Sequence, residues 1–178
     1  MASSLVAVVQ IAGVTSAAFL SGAIVSVSWM TIPSLGVAPD EVAVKQWRRA
    51  FGIGKATAPA LALPSALCFA YLAYATRNIV SKTSVLGIRS PMVLYGVAAV
   101  AIPCIVPYTL IAMEPGANRR LMALGEEADA VVKGESRELM GKEGEVKVLL
   151  KKWTGMNYNR ALFTGFGAVV GAVATMMM

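Results

Sequence analysis

Four uncharged apolar windows interrupt an otherwise mixed chain. They run from about Leu5 to Met30, Ala58 to Thr76, Pro91 to Met113 and Ala161 to Met178, and none contains Asp, Glu, Lys or Arg. A helix of about 20 residues crosses a bilayer. A charge at the centre of a span costs about 2.5–3.5 kcal/mol on insertion scales, so four charge-free windows predict four membrane-spanning helices. Helices buried in a soluble bundle would keep a polar face, which these windows lack. The expected fold is all-α: a single domain over residues 1–178, built as an integral membrane four-helix bundle. The long third connection, residues 114–160, is expected to hold amphipathic helices at about Asn118–Val132 and Val146–Asn157, lying at the interface or capping the bundle. No basic residue precedes the first window, which is longer than the 7–15-residue core of a secretory signal, so it reads as a retained span.

Small residues inside the windows suggest how the helices pack, because in lipid close approach replaces the hydrophobic effect as the driving force. The fourth window carries Gly167 and Gly171 with Gly165 just before them, and the first carries Ala18, Gly22 and Ser26 at spacing four. Both rows are expected to be contacts within the chain. Pro59, Pro64, Pro103 and Pro107 fall in the halves of the second and third windows nearer the first and third connections. Each removes a backbone donor, so kinks that open a cavity and simple bends are both compatible with them. Cys68 and Cys104 sit at similar depth and read as small apolar filler.

Composition and charge narrow the function. Hydrophobic residues make up 57% of the chain and charged residues 15%, against roughly 25% in ordinary soluble domains. Histidine is absent and there are two cysteines, which excludes Ser-His-Asp and Cys-His nucleophile systems, histidine-ligated metals and a Cys-rich metal site. Basic residues number thirteen on the side of the first and third connections and three on the other. The positive-inside rule then places those two connections in the cytoplasm. The net charge of +6 fits membrane anchoring, and no basic stripe interleaved with aromatics points to nucleic acid. Gly52-Ile53-Gly54-Lys55-Ala56 mimics a phosphate loop, but its earlier glycine is replaced by Arg49 and its Ser/Thr by Ala56.

The uncommon polar residues gather at one membrane face. The third window ends in Met113-Glu114-Pro115-Gly116-Ala117-Asn118-Arg119-Arg120, and the fourth is entered through Trp153-Thr154-Gly155-Met156-Asn157-Tyr158-Asn159-Arg160. Trp29 and Trp47 belong to the same face. Val146, Leu149, Leu150, Trp153, Asn157 and Arg160 follow helical spacing and share one side. An inward Arg160 needs an acid at matching depth, and Glu114 is the candidate. Each residue also has a plain reading: the tryptophans as an aromatic belt, Arg160 as a snorkelling side chain, Asn157 as a link between helices.

At these residues the chain resembles a family of small four-span membrane proteins that includes the fungal anthrone oxygenases. The shared stretches are Pro-x-x-Asn-x-x-Leu, here Pro115, Asn118 and Leu121, and Trp-x-x-x-Asn-x-x-Arg, here Trp153, Asn157 and Arg160. The resemblance covers essentially the whole length. It implies a monooxygenase of secondary metabolism that converts a polyketide anthrone to an anthraquinone with O2 and uses no flavin, haem or metal. The partners it implies are membrane lipid and a small aromatic polyketide, and the location an endomembrane such as the endoplasmic reticulum. Arg160 would stabilise the developing oxyanion, with Arg119 as second candidate, and Glu114 would be the general base. Asn118 and Asn157 would hydrogen-bond the substrate oxygens, and Trp153 would stack on its rings. The competing class is a non-enzymatic scaffold of a biosynthetic complex. A transporter is disfavoured, because the windows hold no ionisable residue and the chain shows no internal repeat.

Overall fold

The apolar windows are helical almost throughout, and at the ends facing the first and third connections the helices run well beyond them. The structure is a computed structural model that describes residues 2–132 and 144–178, and among these there is no strand. Lys133, Arg137 and Lys142, counted above in the third connection, lie outside the described residues. Helix α1 covers Ala2–Ser26, α2 Ile32–Leu35, α3 Asp40–Ala75, α4 Pro91–Ala101, α5 Ile105–Tyr108, α6 Arg119–Val132 and α7 Glu145–Met176. A π-helical turn, Val27–Thr31, joins α1 to α2, a 3-10 turn, Ile102–Cys104, joins α4 to α5, and a π-helix, Thr109–Asn118, joins α5 to α6.

Three continuous helical runs are long and apolar enough to cross a membrane: Ser4–Leu35, Asp40–Ala75 and Pro91–Ala130. The fourth apolar window lies in the C-terminal part of α7. The third helix does not end at Met113 as the window suggested. It passes through Pro115, so the connection expected at 114–160 is helical at both of its described ends. The windows measured apolar length, and polar residues such as Arg120 and Glu126 continue a helix readily once it leaves the apolar layer.

Proline explains where the helices change register. Pro33 has no N–H for the carbonyl of Trp29, and the π turn Val27–Thr31 lies just before it. Pro115 likewise offers nothing to the carbonyl of Ile111, and it sits inside the π-helix. Pro103 lies in the 3-10 turn. Pro59 and Pro64 behave differently: α3 runs through both without a break. The second and third connections also contrast. The second is a short turn in which Val85 and Ile88 pair across Leu86 (φ 51°) and Gly87 (φ 80°), the double positive-φ geometry of a tight hairpin.

Packing divides the chain into two units. The first comprises Met1–Ala23, Ala58–Val106 and Arg160–Met178. Its seams are made by small residues. Gly13 faces Cys68 and Phe69, Ser65 Oγ donates to the Gly13 carbonyl at 2.9 Å, Gly167 faces Ile102, and Gly171 lies against the Phe69 ring. The Gly167/Gly171 pair is thus an intrachain contact, as expected. The row Ala18, Gly22 and Ser26 is not: all three are exposed, and Gly22 faces open space. The buried side of this helix runs instead through Gly13, Ala17 and Leu20. Cys68 and Cys104 are free thiols, and Cys104 Sγ meets its own helix at the Val100 carbonyl.

The second unit comprises Ile24–Thr57 and Pro107–Asn159. Its core gathers Val44 and Trp47 from α3, Met113 and Ala117 from the π-helix, Leu121 from α6, and Trp153 from α7. In α6 the buried positions Leu121, Leu124, Gly125 and Ala128 recur at helical spacing, and Gly125 lets the stem of Arg48 lie across the helix.

Candidate active site in the second unit

The site is assembled from the π-helix, α3, α7 and the π turn after α1. Glu114 and Asn118 are one turn apart on the π-helix, and Asn118 Nδ2 donates to Glu114 Oε2 at 3.3 Å. Asn118 is completely buried, whereas Glu114 is half-buried. The other amide atom of Asn118, Oδ1, is buried with no hydrogen-bond partner.

Two tryptophans supply the rest. Trp47 and Trp153 retain 1% and 3% of their exposure and meet edge to face with centroids 6.0 Å apart. Phe51 stacks on Trp47 at 5.0 Å. Neither indole Nε1 has a hydrogen-bond partner. Ala117 and Leu121, which flank Asn118, belong to the same packed core as both indoles. One core therefore holds two open N–H donors and one open carbonyl acceptor, beside a carboxylate. A buried polar atom without a partner costs about 1–3 kcal/mol, and native cores keep few of them. These atoms are candidate partners for the polar groups of a ligand. Trp29, by contrast, is 71% exposed, in keeping with an aromatic belt.

Asn157 makes a different kind of link. Its Nδ2 donates to the Ile24 carbonyl at 3.0 Å and to Ser28 Oγ at 2.9 Å, tying α7 to the first helix beside the π turn. Asn159 Nδ2 donates to the Tyr108 hydroxyl at 2.9 Å, tying α7 to α5. Gly116 allows Met156 to approach the π-helix closely.

The structure thus brings Glu114, Asn118, Trp153 and Asn157 into one unit. Arg119 is exposed. Arg160 belongs to the first unit, where it is half-buried and its carbonyl accepts from Thr164 Oγ1. Two participants carried little signal in the sequence. Trp47 stood on the right face, but nothing distinguished it from a belt residue. Ser28 is one hydroxyl in an uncharged window, detectable only by its place one turn after Ile24. Among the described residues no group of three potential metal ligands gathers.

The anthrone oxygenase family model matches residues 47–170, from the first of the paired tryptophans almost to the last glycine of the seam. The chain belongs to the anthrone oxygenase family. The family expected from the two motifs is the one found, and with it an oxygenase. The anthrone oxygenase encC of Aspergillus fumigatus is 29% identical over 178 residues, covering 94% of this chain and 92% of its own length. The anthrone oxygenase nsrD of Aspergillus novofumigatus is 33% identical, covering 92% and 90%. A noranthrone monooxygenase of Aspergillus flavus is 30% identical, covering 89% of this chain and 69% of its own. No solved structure matches the chain significantly.

Proposed function

We propose that this family member oxidises a polyketide anthrone to the anthraquinone with O2, and that Glu114, Asn118, Trp47 and Trp153 form the binding and proton-transfer site. The observation that carries the assignment is the set of unpartnered polar atoms in and beside one packed core: two buried indole N–H groups, and the carbonyl oxygen of Asn118, whose amide nitrogen bonds Glu114. An anthrone offers complementary phenol and ketone oxygens on a flat apolar frame. Glu114 removes a proton from the central methylene, which is acidic because its loss completes an aromatic ring. The anion passes one electron to O2, and the carbon radical and superoxide join to form a C–O bond. The peroxide takes up the proton and loses water by cleaving its O–O bond and the remaining C–H bond. One oxygen atom stays in the quinone and the other leaves in water, so the methylene loses four electrons and O2 gains four.

This sequence needs no resident cofactor, because the substrate itself reduces O2. Arg119, which belongs to the same unit as Glu114 and Asn118, is assigned to the developing oxyanion. Asn157 positions α7 through Ile24 and Ser28. We assign residues 161–176 of α7 as a fourth span, which completes a four-helix membrane domain. The basic excess then faces the cytoplasm, on an endomembrane such as the endoplasmic reticulum. Lipid concentrates both a greasy anthrone and O2.

The test is quinone formation by membranes carrying the chain, supplied with an anthrone and 18O2, with and without chelator. One labelled oxygen per quinone, at a rate unchanged by chelator, is expected. No quinone above the autoxidation rate would overturn the assignment. Activity lost to chelator and restored by added metal would overturn its cofactor-free form.

A further inference from the structure

A cavity of about 460 Å³ in the second unit lies apart from the site above and is lined by Lys45, Gln46, Arg48, Arg49 and Asp129. We infer that this groove between α3 and α6 binds a phosphate group. The inference is independent of the oxygenase assignment.

Lys45, Arg48 and Arg49 follow at spacing three and one, so they share a face of α3, while Trp47 turns into the core. Asp129 is the one acid in the lining. It accepts from Arg48 Nη1 at 2.7 Å and lies 3.3 Å from Lys45 Nζ. Three cations against one carboxylate leave a local excess of two positive charges. The excess is held in place. The side chains of Lys45 and Arg48 are only 34% exposed. The missing Cβ of Gly125 gives Arg48 its seat, since one there would fall 2.9 Å from Arg48 Cδ. Asp129 engages Arg48 through one nitrogen of its fork, and Arg49 stands exposed at the rim.

A tetrahedral anion with several acceptor oxygens matches this set. It can accept from a guanidinium fork and an ammonium at once, which a single carboxylate already occupied at Asp129 does not satisfy. The groove lies on the stretch before the second apolar window, on the side where basic residues predominate, which is where anionic headgroups attract Lys and Arg. The phosphate can belong to a lipid headgroup or be free in solution, and the two sources are separable by experiment.

The full chain, purified in neutral detergent, is offered phosphatidic acid, phosphatidylcholine or inorganic phosphate and examined by native mass spectrometry. Preferential retention of phosphatidic acid identifies a headgroup site, and retention of inorganic phosphate identifies a site for the free ion. Each basic contact contributes about fivefold, so the Lys45→Ala/Arg49→Ala variant should bind about 25-fold more weakly. A variant in the second connection, Lys82→Ala/Arg89→Ala, changes charge equally and should bind as before. Arg49→Gln alters one exposed residue, keeps the fold, and should show about a fivefold loss on its own. Equal retention of phosphatidic acid and phosphatidylcholine with no bound phosphate would overturn the inference. So would unchanged binding by both the double variant and Arg49→Gln.

Discussion

The two units solve the problem of polar groups among apolar helices in opposite ways. In the seam of the first unit, hydroxyl and amide side chains are satisfied locally. Ser65 bonds the Gly13 carbonyl, Ser21 bonds the Ala161 carbonyl, and Gln10, Tyr95 and Thr175 form a chain of hydrogen bonds. Glycines bring the backbones close enough for these short links. In the second unit Trp47, Trp153 and Asn118 each keep a buried polar atom without a partner. The first pattern is that of a seam built for stability. The second carries a cost that a bound polar group would relieve, which is why the proposed site is placed there.

The largest effect that would break this comparison is at Glu114. Glu114→Gln keeps size and the bond to Asn118 while removing the proton acceptor. Quinone formation should fall by about 100-fold or more, the range of general-base catalysis, with unchanged helicity and thermal stability. Wild-type turnover in this variant would remove Glu114 from the chemistry. Next comes Trp153→Phe, which keeps a ring and deletes the open N–H. We expect kcat/KM for the anthrone to drop about tenfold, the value of one hydrogen bond of roughly 1.4 kcal/mol. Stability should change little, because the lost packing is offset by removing an unsatisfied donor. A large loss of stability at unchanged kcat/KM would make Trp153 a seam residue like those of the first unit.

Much of the fold was legible because apolar windows report bilayer thickness directly. Helix ends and registers were less so. The third helix runs past Met113 because its π register accommodates Pro115, a backbone adjustment that hydropathy does not encode. On the first helix, Ala18, Gly22 and Ser26 had the spacing of a seam but face outward, while the contacting row through Gly13 and Ala17 has the same kind of residues. Small-residue spacing marks a possible contact without saying which row turns inward. For the site, Trp153, Asn157, Asn118 and Glu114 could be gathered from chain order and helical spacing. Trp47 and Ser28 could not, because their roles depend on which of several equivalent tryptophans and hydroxyls tertiary packing buries.

The first unit should answer to packing and be indifferent to substrate. Gly171→Ala sets a methyl group against the Phe69 ring, which is itself stacked on Tyr95 at 6.1 Å. Overpacking of this kind costs about 1–3 kcal/mol, read as a lowered Tm in detergent, with the anthrone KM unchanged. A Tm equal to wild type would mean that Phe69 moves aside freely and that the glycine seam is not close-packed.

The smallest effect is the sharpest control. Ser65→Ala deletes one buried bond to the Gly13 carbonyl and leaves the helix intact. Interhelical hydrogen bonds of this sort contribute on average about 0.6 kcal/mol in membrane proteins. The Tm should therefore fall slightly and the oxidation rate should not move. Were Ser65→Ala to slow quinone formation as strongly as Trp153→Phe, polar groups in the two units would be acting alike. The contrast between a satisfied seam and an open site would then lose its physical basis.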